Sequence, residues 1–300
     1  MIGDSRAARR PTHPTTHGLR GAAFVVVTAT TVLARPALAA EPALKEGQHF
    51  TIDPVSDVVL TAAGAGSAAL TELILSTGEI VPQPPPMVGT GASAIPDTSK
   101  LLSFDRIAVT QTVDPNAGLY SDIGLGAAIA FMGVDSVLSG IRDGWDAALV
   151  DGVMYAESLS ISLFVTDVTK IAVRRPRPLD YTSTAGTDTN RVLSFFSGHA
   201  AMTAAVMGTA SYLAFVRSPS SSPRPWITLG AGALLTAFVS YERVRSGAHF
   251  PSDVLAGSLA GAAIGVLVPH LHHHEPGTPS LWIGAAPMAD GGSIALHGVF

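Results

Sequence analysis

Residues 243–253 read Arg-Val-Arg-Ser-Gly-Ala-His-Phe-Pro-Ser-Asp. A proline at 251 can open a helix but cannot sit in one's middle, so the stretch joins two helices. An arginine ends the first, and a histidine and an aspartate flank the start of the second. Two further stretches share this character. Residues 170–178 read Lys-Ile-Ala-Val-Arg-Arg-Pro-Arg-Pro, where the two prolines stop a helix that delivers Lys170. Ser197-Gly198-His199 opens another helix with a body, Ala200 to Val216, that carries no charge. Together the three stretches supply the cations Lys170, Arg177 and Arg243, the histidines His199 and His249, the carboxylate Asp253, and a Ser-Gly turn. A phosphate monoester calls for these groups: fixed positive charge, a nucleophile, an acid for the leaving oxygen, and a group to orient the nucleophile.

The surroundings of the motifs read as helices. Val58 to Leu75 is rich in Ala and Gly and interrupted only by Glu72. Ser121 to Leu138, Trp145 to Val173, Ala200 to Val216 and Trp226 to Tyr241 follow, with a turn over Ser218–Pro225. A sixth helix starts at Pro251, where Gly257, Gly261 and Gly265 leave one face flat for close helix packing. Pro82-Gln83-Pro84-Pro85-Pro86 begins a low-complexity connector that runs to about Asp114 and is expected to cross the surface in extended form. Near the C-terminus, Asp290-Gly291-Gly292 between apolar runs predicts a hairpin.

The three stretches resemble the type 2 phosphatidic acid phosphatase superfamily, which also contains the vanadium-dependent haloperoxidases. Nine specified residues match that family's three motifs in order and at its internal spacings. The resemblance covers roughly residues 117–271. It implies an all-α bundle of about six helices with the active site at one pole, to which the short C-terminal β-hairpin is added. It also implies a phosphatase that needs no metal and forms a phosphohistidine. Lys170, Arg177 and Arg243 would hold the phosphate oxygens, with the backbone of Ser197 and Gly198. His249 would be the nucleophile, His199 the general acid, and Asp253 the carboxylate reaching back to one ring nitrogen of His249. Arg174 and Arg175 fall on no motif position and are left out.

Two positions depart from the family pattern. Phe196 stands where the family has proline before Ser-Gly-His, and Glu242 stands where serine precedes Arg243. The first loosens a turn. The second puts a carboxylate beside a phosphate-binding arginine, which it would orient or partly neutralise.

Only 14% of the 300 residues are charged, against about 25% in ordinary soluble domains. There is no cysteine, so disulfides and thiolate metal sites are excluded. Residues 1–39 read as an export signal: Arg6, Arg9, Arg10 and Arg20, then an apolar run from Ala22 to Ala34, then Ala37-Leu38-Ala39 for cleavage. Without that leader, 13 basic residues face 22 acidic ones, an acidic body with a local basic site, which argues against a nucleic-acid binder. The segments are then a signal (1–39), an N-terminal helix with its connector (40–116), a phosphatase core (117–271) and a His-rich linker with hairpin (272–300).

The expected protein is an exported, periplasmic phosphatase, associated with or embedded in the inner membrane. Asp151, Glu157 and Asp167 in the third long helix favour a soluble bundle; the uncharged helices favour the membrane. The expected partner is a phosphate ester, with lipid phosphates and pyrophosphates the family's common choice. No cofactor is expected, and vanadate enters only under the haloperoxidase alternative; the mature chain is short for that activity. A third alternative is an inactive binding protein on the same bundle. The run His270–His274 could bind a transition metal, but a solvated linker is the expected reading.

Overall fold

The computed structural model describes residues 49–91, 94–182, 193–273, 280–288 and 291–299. The export signal and most of the loop before Leu193 lie outside these, as does His274.

Among the described residues, six long helices form the body: α1 (Pro54–Ser76), α3 (Ala117–Asp143), α4 (Trp145–Val173), α5 (Gly198–Arg217), α6 (Pro223–Arg245) and α7 (Pro251–His272). A single turn, α2 (Ile107–Thr110), lies in the connector. Each boundary has a local cause. The Asp53 carboxylate caps α1 by accepting from the backbone N–H groups of Val55 and Ser56 at 2.9 and 3.2 Å. α4 ends on Arg174, which adopts φ 51°, and Pro176 blocks any continuation. α6 begins at Pro223, not Trp226, because prolines are tolerated in a first helical turn. α7 starts at Pro251, with the Asp253 carboxylate accepting from the Phe250 N–H at 2.8 Å.

The glycine face of α7 lies on α5. A Cβ at Gly257, Gly261 or Gly265 would run into the backbone of Ser197, Ala201 or Ala205 respectively. Backbones can approach this closely only where side chains are missing. Around this seam Met154, Tyr155, Val206, Ala210 and Leu213 form the buried core, closed at one end by Phe50.

Five of the long helices are long and apolar enough to cross a membrane by length and composition: Val55–Ser76, Ala117–Asp143, Trp145–Tyr181, Gly198–Arg217 and Pro251–His272. Their outer faces expose large apolar side chains such as Leu73, Ile123, Leu149 and Leu259. These apolar helices support membrane association. Asp151, Glu157 and Asp167 do not oppose that reading, because they are 0%, 2% and 6% exposed and turn into the bundle. Ionisable groups in membrane helices take that position to escape lipid.

The connector is more ordered than the expected extended crossing. Met87–Val88 (β1) pairs antiparallel with Ile95–Pro96 (β2). Further on, Asp105 is fully buried, Gln111 Nε2 donates to the Val244 carbonyl at 2.6 Å, and Arg245 pairs with Asp114 at 2.7 Å. The connector therefore caps the pole where α4 and α6 end and α5 and α7 begin. Two nine-residue strands, β3 (Ser280–Met288) and β4 (Gly291–Val299), form the C-terminal hairpin, with Met288 opposite Gly291.

Candidate active site

A cavity of about 530 Å³ opens at that pole. Its lining includes Lys170, Arg177, Gly198, His199, Arg243 and His249, six of the eight residues singled out from sequence. Ser197 and Asp253 stand behind the lining and shape it.

Helix ends explain the convergence. Lys170 is in the last turn of α4, and Arg177 follows the proline that stops it. Ser197 is the cap of α5, its hydroxyl accepting from the Ala200 N–H at 3.5 Å, so the first free N–H groups of α5 face the cavity beside Gly198. Those groups and the helix dipole favour an anion. Arg243 sits in the last turn of α6. Its Nη1 donates to Ser121 Oγ on α3 at 3.3 Å, while Nε is buried and has no partner among the described residues. Lys170 Nζ lies 3.6 Å from Asp167, a turn earlier on α4.

His249 is 2% exposed. Its Nδ1 lies 2.7 Å from the Ser194 carbonyl oxygen. A carbonyl can only accept, so Nδ1 carries the hydrogen and Nε2 keeps its lone pair. Burial pushes the ring's pKa well below its usual value, and the charges of Arg243, Arg177 and Lys170 push it further the same way. The ring is therefore neutral at ordinary pH.

Asp253 does not make the hydrogen bond to His249 expected of it. Its Oδ2 is 3.8 Å from Nδ1 and instead accepts from the Phe250 N–H at 2.8 Å. Oδ1 accepts from Arg175 Nη1 at 2.6 Å. The helix start claims one oxygen and Arg175 the other, so the Ser194 carbonyl takes over the ring.

Arg175, set aside in the sequence, is thus part of the support. Its Nη2 donates to Asp105 at 2.8 Å, and its guanidinium lies 4.0 Å from the centre of the Phe250 ring. Asp105 accepts in addition from the Ser252 N–H and hydroxyl, at 2.9 and 2.7 Å. Arg174 points elsewhere and caps its own helix through the Ile171 carbonyl.

His199 also has a partner that the motifs do not contain. Its Nε2 is 2.8 Å from Asp122 Oδ1 on α3. Glu242 is buried but makes no ion pair with Arg243 among the described residues, so the expected neutralisation is not seen. The rest of the lining is a wall of Ala65, Ala68, Ala69 and Glu72 from α1, Leu163, Thr166 and Asp167 from α4, and Met202 from α5.

The helical bundle thus holds a cationic cavity with two histidines at one pole. The family model described as the PAP2 superfamily matches residues 151–276, so the segment holding all three motifs carries that family's pattern. A crystal structure described as the first transmembrane PAP2-type phosphatidylglycerolphosphate phosphatase from Bacillus subtilis is similar at 22% identity. It aligns over 72% of this chain and 93% of that one, with a TM-score of 0.42. No curated protein matches.

Proposed function

We propose that the protein is a phosphatase of phosphate monoesters, lipid phosphates and pyrophosphates among them, working through a phosphohistidine at His249 without a metal ion in the reaction. The observation that carries this reading is the cavity shared by three cations, a helix N-terminus and the two histidines.

In the proposed reaction Lys170, Arg177 and Arg243 hold the non-bridging oxygens, joined by the N–H groups at the start of α5. The arginine forks bind pairs of oxygens and Lys170 adds a point charge. Nε2 of His249 attacks phosphorus, and the bond from phosphorus to the ester oxygen breaks. His199 gives that oxygen its proton and the alcohol leaves. Water then attacks phosphorus, His199 accepts the water's proton, and the P–N bond breaks to release phosphate. The ring hydrogen on Nδ1 stays with the Ser194 carbonyl throughout. Asp253, 3.8 Å away, favours the positive charge that the phosphorylated ring carries.

The small and apolar side chains of Ala65, Ala68, Ala69, Leu163 and Met202 favour a substrate with a hydrocarbon portion. The apolar helices support a substrate drawn from the membrane. An export signal at residues 1–39 is part of the same proposal and is tested by N-terminal sequencing of the membrane-bound protein.

The reading is tested by a screen of the purified protein against lipid phosphates, lipid pyrophosphates and soluble monoesters, with and without vanadate. Hydrolysis that vanadate inhibits supports it. Vanadate-dependent halide oxidation, or no turnover of any ester, refutes it.

A further inference from the structure

We propose that Asp57, Glu157 and His272 form a binding site for one divalent transition-metal ion of the zinc class, far from the phosphate cavity. It does not rest on the phosphatase reading.

The three residues come from three helices. Asp57 is in the first turn of α1, Glu157 is midway along α4, and His272 ends α7. Glu72 of the phosphate cavity lies 15 residues beyond Asp57 on the same helix, or about 22 Å at 1.5 Å per residue. His272 is 19 residues beyond Asp253, or about 28 Å by the same rise. The trio therefore sits toward the opposite end of the bundle.

Its geometry fits a tetrahedral ion. His272 Nε2 lies 3.5 Å from Asp57 Oδ1 and 3.3 Å from Glu157 Oε2. Ligands held about 2.0–2.2 Å from zinc at tetrahedral angles are about 3.3–3.5 Å apart. The three ligand atoms all lie within 4.8 Å of one another. Both distances from Nε2 exceed the roughly 2.7–2.9 Å of a charge-assisted hydrogen bond.

The orientation of the imidazole points the same way. Its Nδ1 lies 2.9 Å from the Val268 carbonyl, a group outside the trio that can only accept. That leaves the lone pair of a neutral ring on Nε2, aimed at two carboxylates. Backbone carbonyls orient metal-binding histidines in this way.

Unpaired polar atoms and charge complete the case. Asp57 is 5% and Glu157 2% exposed, yet Asp57 Oδ2 and Glu157 Oε1 are buried with no hydrogen-bond partner among the described residues. Among the described residues, no lysine or arginine pairs with either carboxylate. Two carboxylates and a charged histidine would leave a net negative charge in the interior. Two carboxylates, a neutral histidine and a divalent ion leave none, and buried charge is costly unless balanced. Imidazole disfavours calcium and magnesium, which take oxygen ligands, and suits zinc and its later transition-metal neighbours.

The expected linear histidine tract is therefore divided. Tyr212 Oη contacts Nδ1 of His270 at 2.8 Å and of His273 at 3.4 Å. His272 alone of these three turns to the carboxylates. The ion would pin α1 to α4 and α7, and α1 carries the Ala65–Glu72 wall of the phosphate cavity. Its role is structural.

Full-length protein in detergent, exchanged against zinc and then dialysed, is analysed for metal content; cobalt replaces zinc in a parallel sample. Wild type and the double variant His270→Ala/His273→Ala should hold about one ion per chain, and cobalt should give the visible absorption of a tetrahedral site. His272→Ala and Glu157→Gln should lose the ion. Stripping it from wild type should lower Tm, and zinc should restore it, since an ion bound only by the folded state stabilises that state. Wild type holding no more metal than His272→Ala overturns the proposal, as does Tm indifferent to zinc. Retention in both single variants marks adventitious capture by the His270–His274 run and also overturns it. Should His272→Ala fail to fold, Glu157→Gln and the wild-type Tm series decide.

Discussion

Arg175 Nη1 lies 2.6 Å from Asp253 Oδ1, and the same guanidinium reaches Asp105 through its other nitrogen at 2.8 Å. One cation thus offsets two carboxylates that are both fully buried. Asp105 in turn holds the N–H of Ser252, so the connector, the end of α4 and the start of α7 are fastened at one point. Asp253 is part of that fastening, and His249 lies four residues before it.

Arg175→Ala is accordingly expected to be more damaging than its place outside the motifs suggests. Removing the cation shared by two buried, ion-paired carboxylates costs about 3–5 kcal/mol. Unfolding should show a loss in this range, with turnover falling together with stability. Arg175→Lys should recover part of the stability, since one charge remains but the fork does not. Wild-type stability in Arg175→Ala would mean that the two pairs contribute little.

Much of the site is legible in the sequence because its spacing is local. Lys170 and Arg177 flank one helix end, Ser197 to His199 are adjacent, and Asp253 is one helical turn past His249. Arg175, Asp105 and Asp122 are not legible in that way. Arg175 meets Asp105 across 70 positions, His199 meets Asp122 across 77, and Ser252 meets Asp105 across 147. Those separations are set by how helices pack, which no local pattern encodes. Asp122 did leave one signal: it is the single charge in residues 117–134, and a lone carboxylate in an apolar helix asks for a partner. His272 was legible only as one of a run, because the direction each ring takes depends on α1 and α4.

The depressed pKa of His249 sets the pH dependence. Protonating Nε2 would remove the attacking lone pair, and burial with three nearby cations opposes that protonation. For this group, activity should persist below the usual histidine value of about 6.5 and fall only as pH drops through the depressed value. The stability effect has the same sign. The unfolded chain binds this proton first, so stability declines as pH falls below the ordinary value. The profile of kcat/KM for an activated aryl phosphate checks this. Loss of activity centred near 6.5 would contradict the assignment, as would an acid limb that does not move upward when Lys170→Gln removes one cation.

The contact between His199 and Asp122 predicts a graded effect. Asp122→Asn keeps the shape but removes the charge that favours the protonated ring. His199→Ala should slow alkyl phosphates by about 10²–10⁴-fold while affecting aryl phosphates with good leaving groups far less. Asp122→Asn should show the same selectivity at smaller size. Equal losses on both substrate types would mean that neither residue serves the leaving group.

A bundle that spans the membrane would place the start of α1 and the pole that holds the cavity on opposite sides. The chain has no cysteine, so single replacements report without background. Ser103, near Asp105, and Ser220, in the turn after α5, are both exposed. Ser103→Cys and Ser220→Cys should react with an impermeant thiol reagent from opposite faces of sealed vesicles. Labelling of both from one face would contradict a spanning bundle.

The central claim is that His249 carries the phosphoryl group. It is tested most directly by mixing enzyme with ³²P-labelled substrate, quenching in base, where phosphohistidine survives, and locating the label. Label should appear on His249 in wild type and should accumulate in His199→Ala wherever water attack becomes slow. It should be absent from a folded His249→Ala variant, which should not turn over activated or alkyl esters. Label retained in His249→Ala, or an unlabelled wild type that still turns over, would contradict the account.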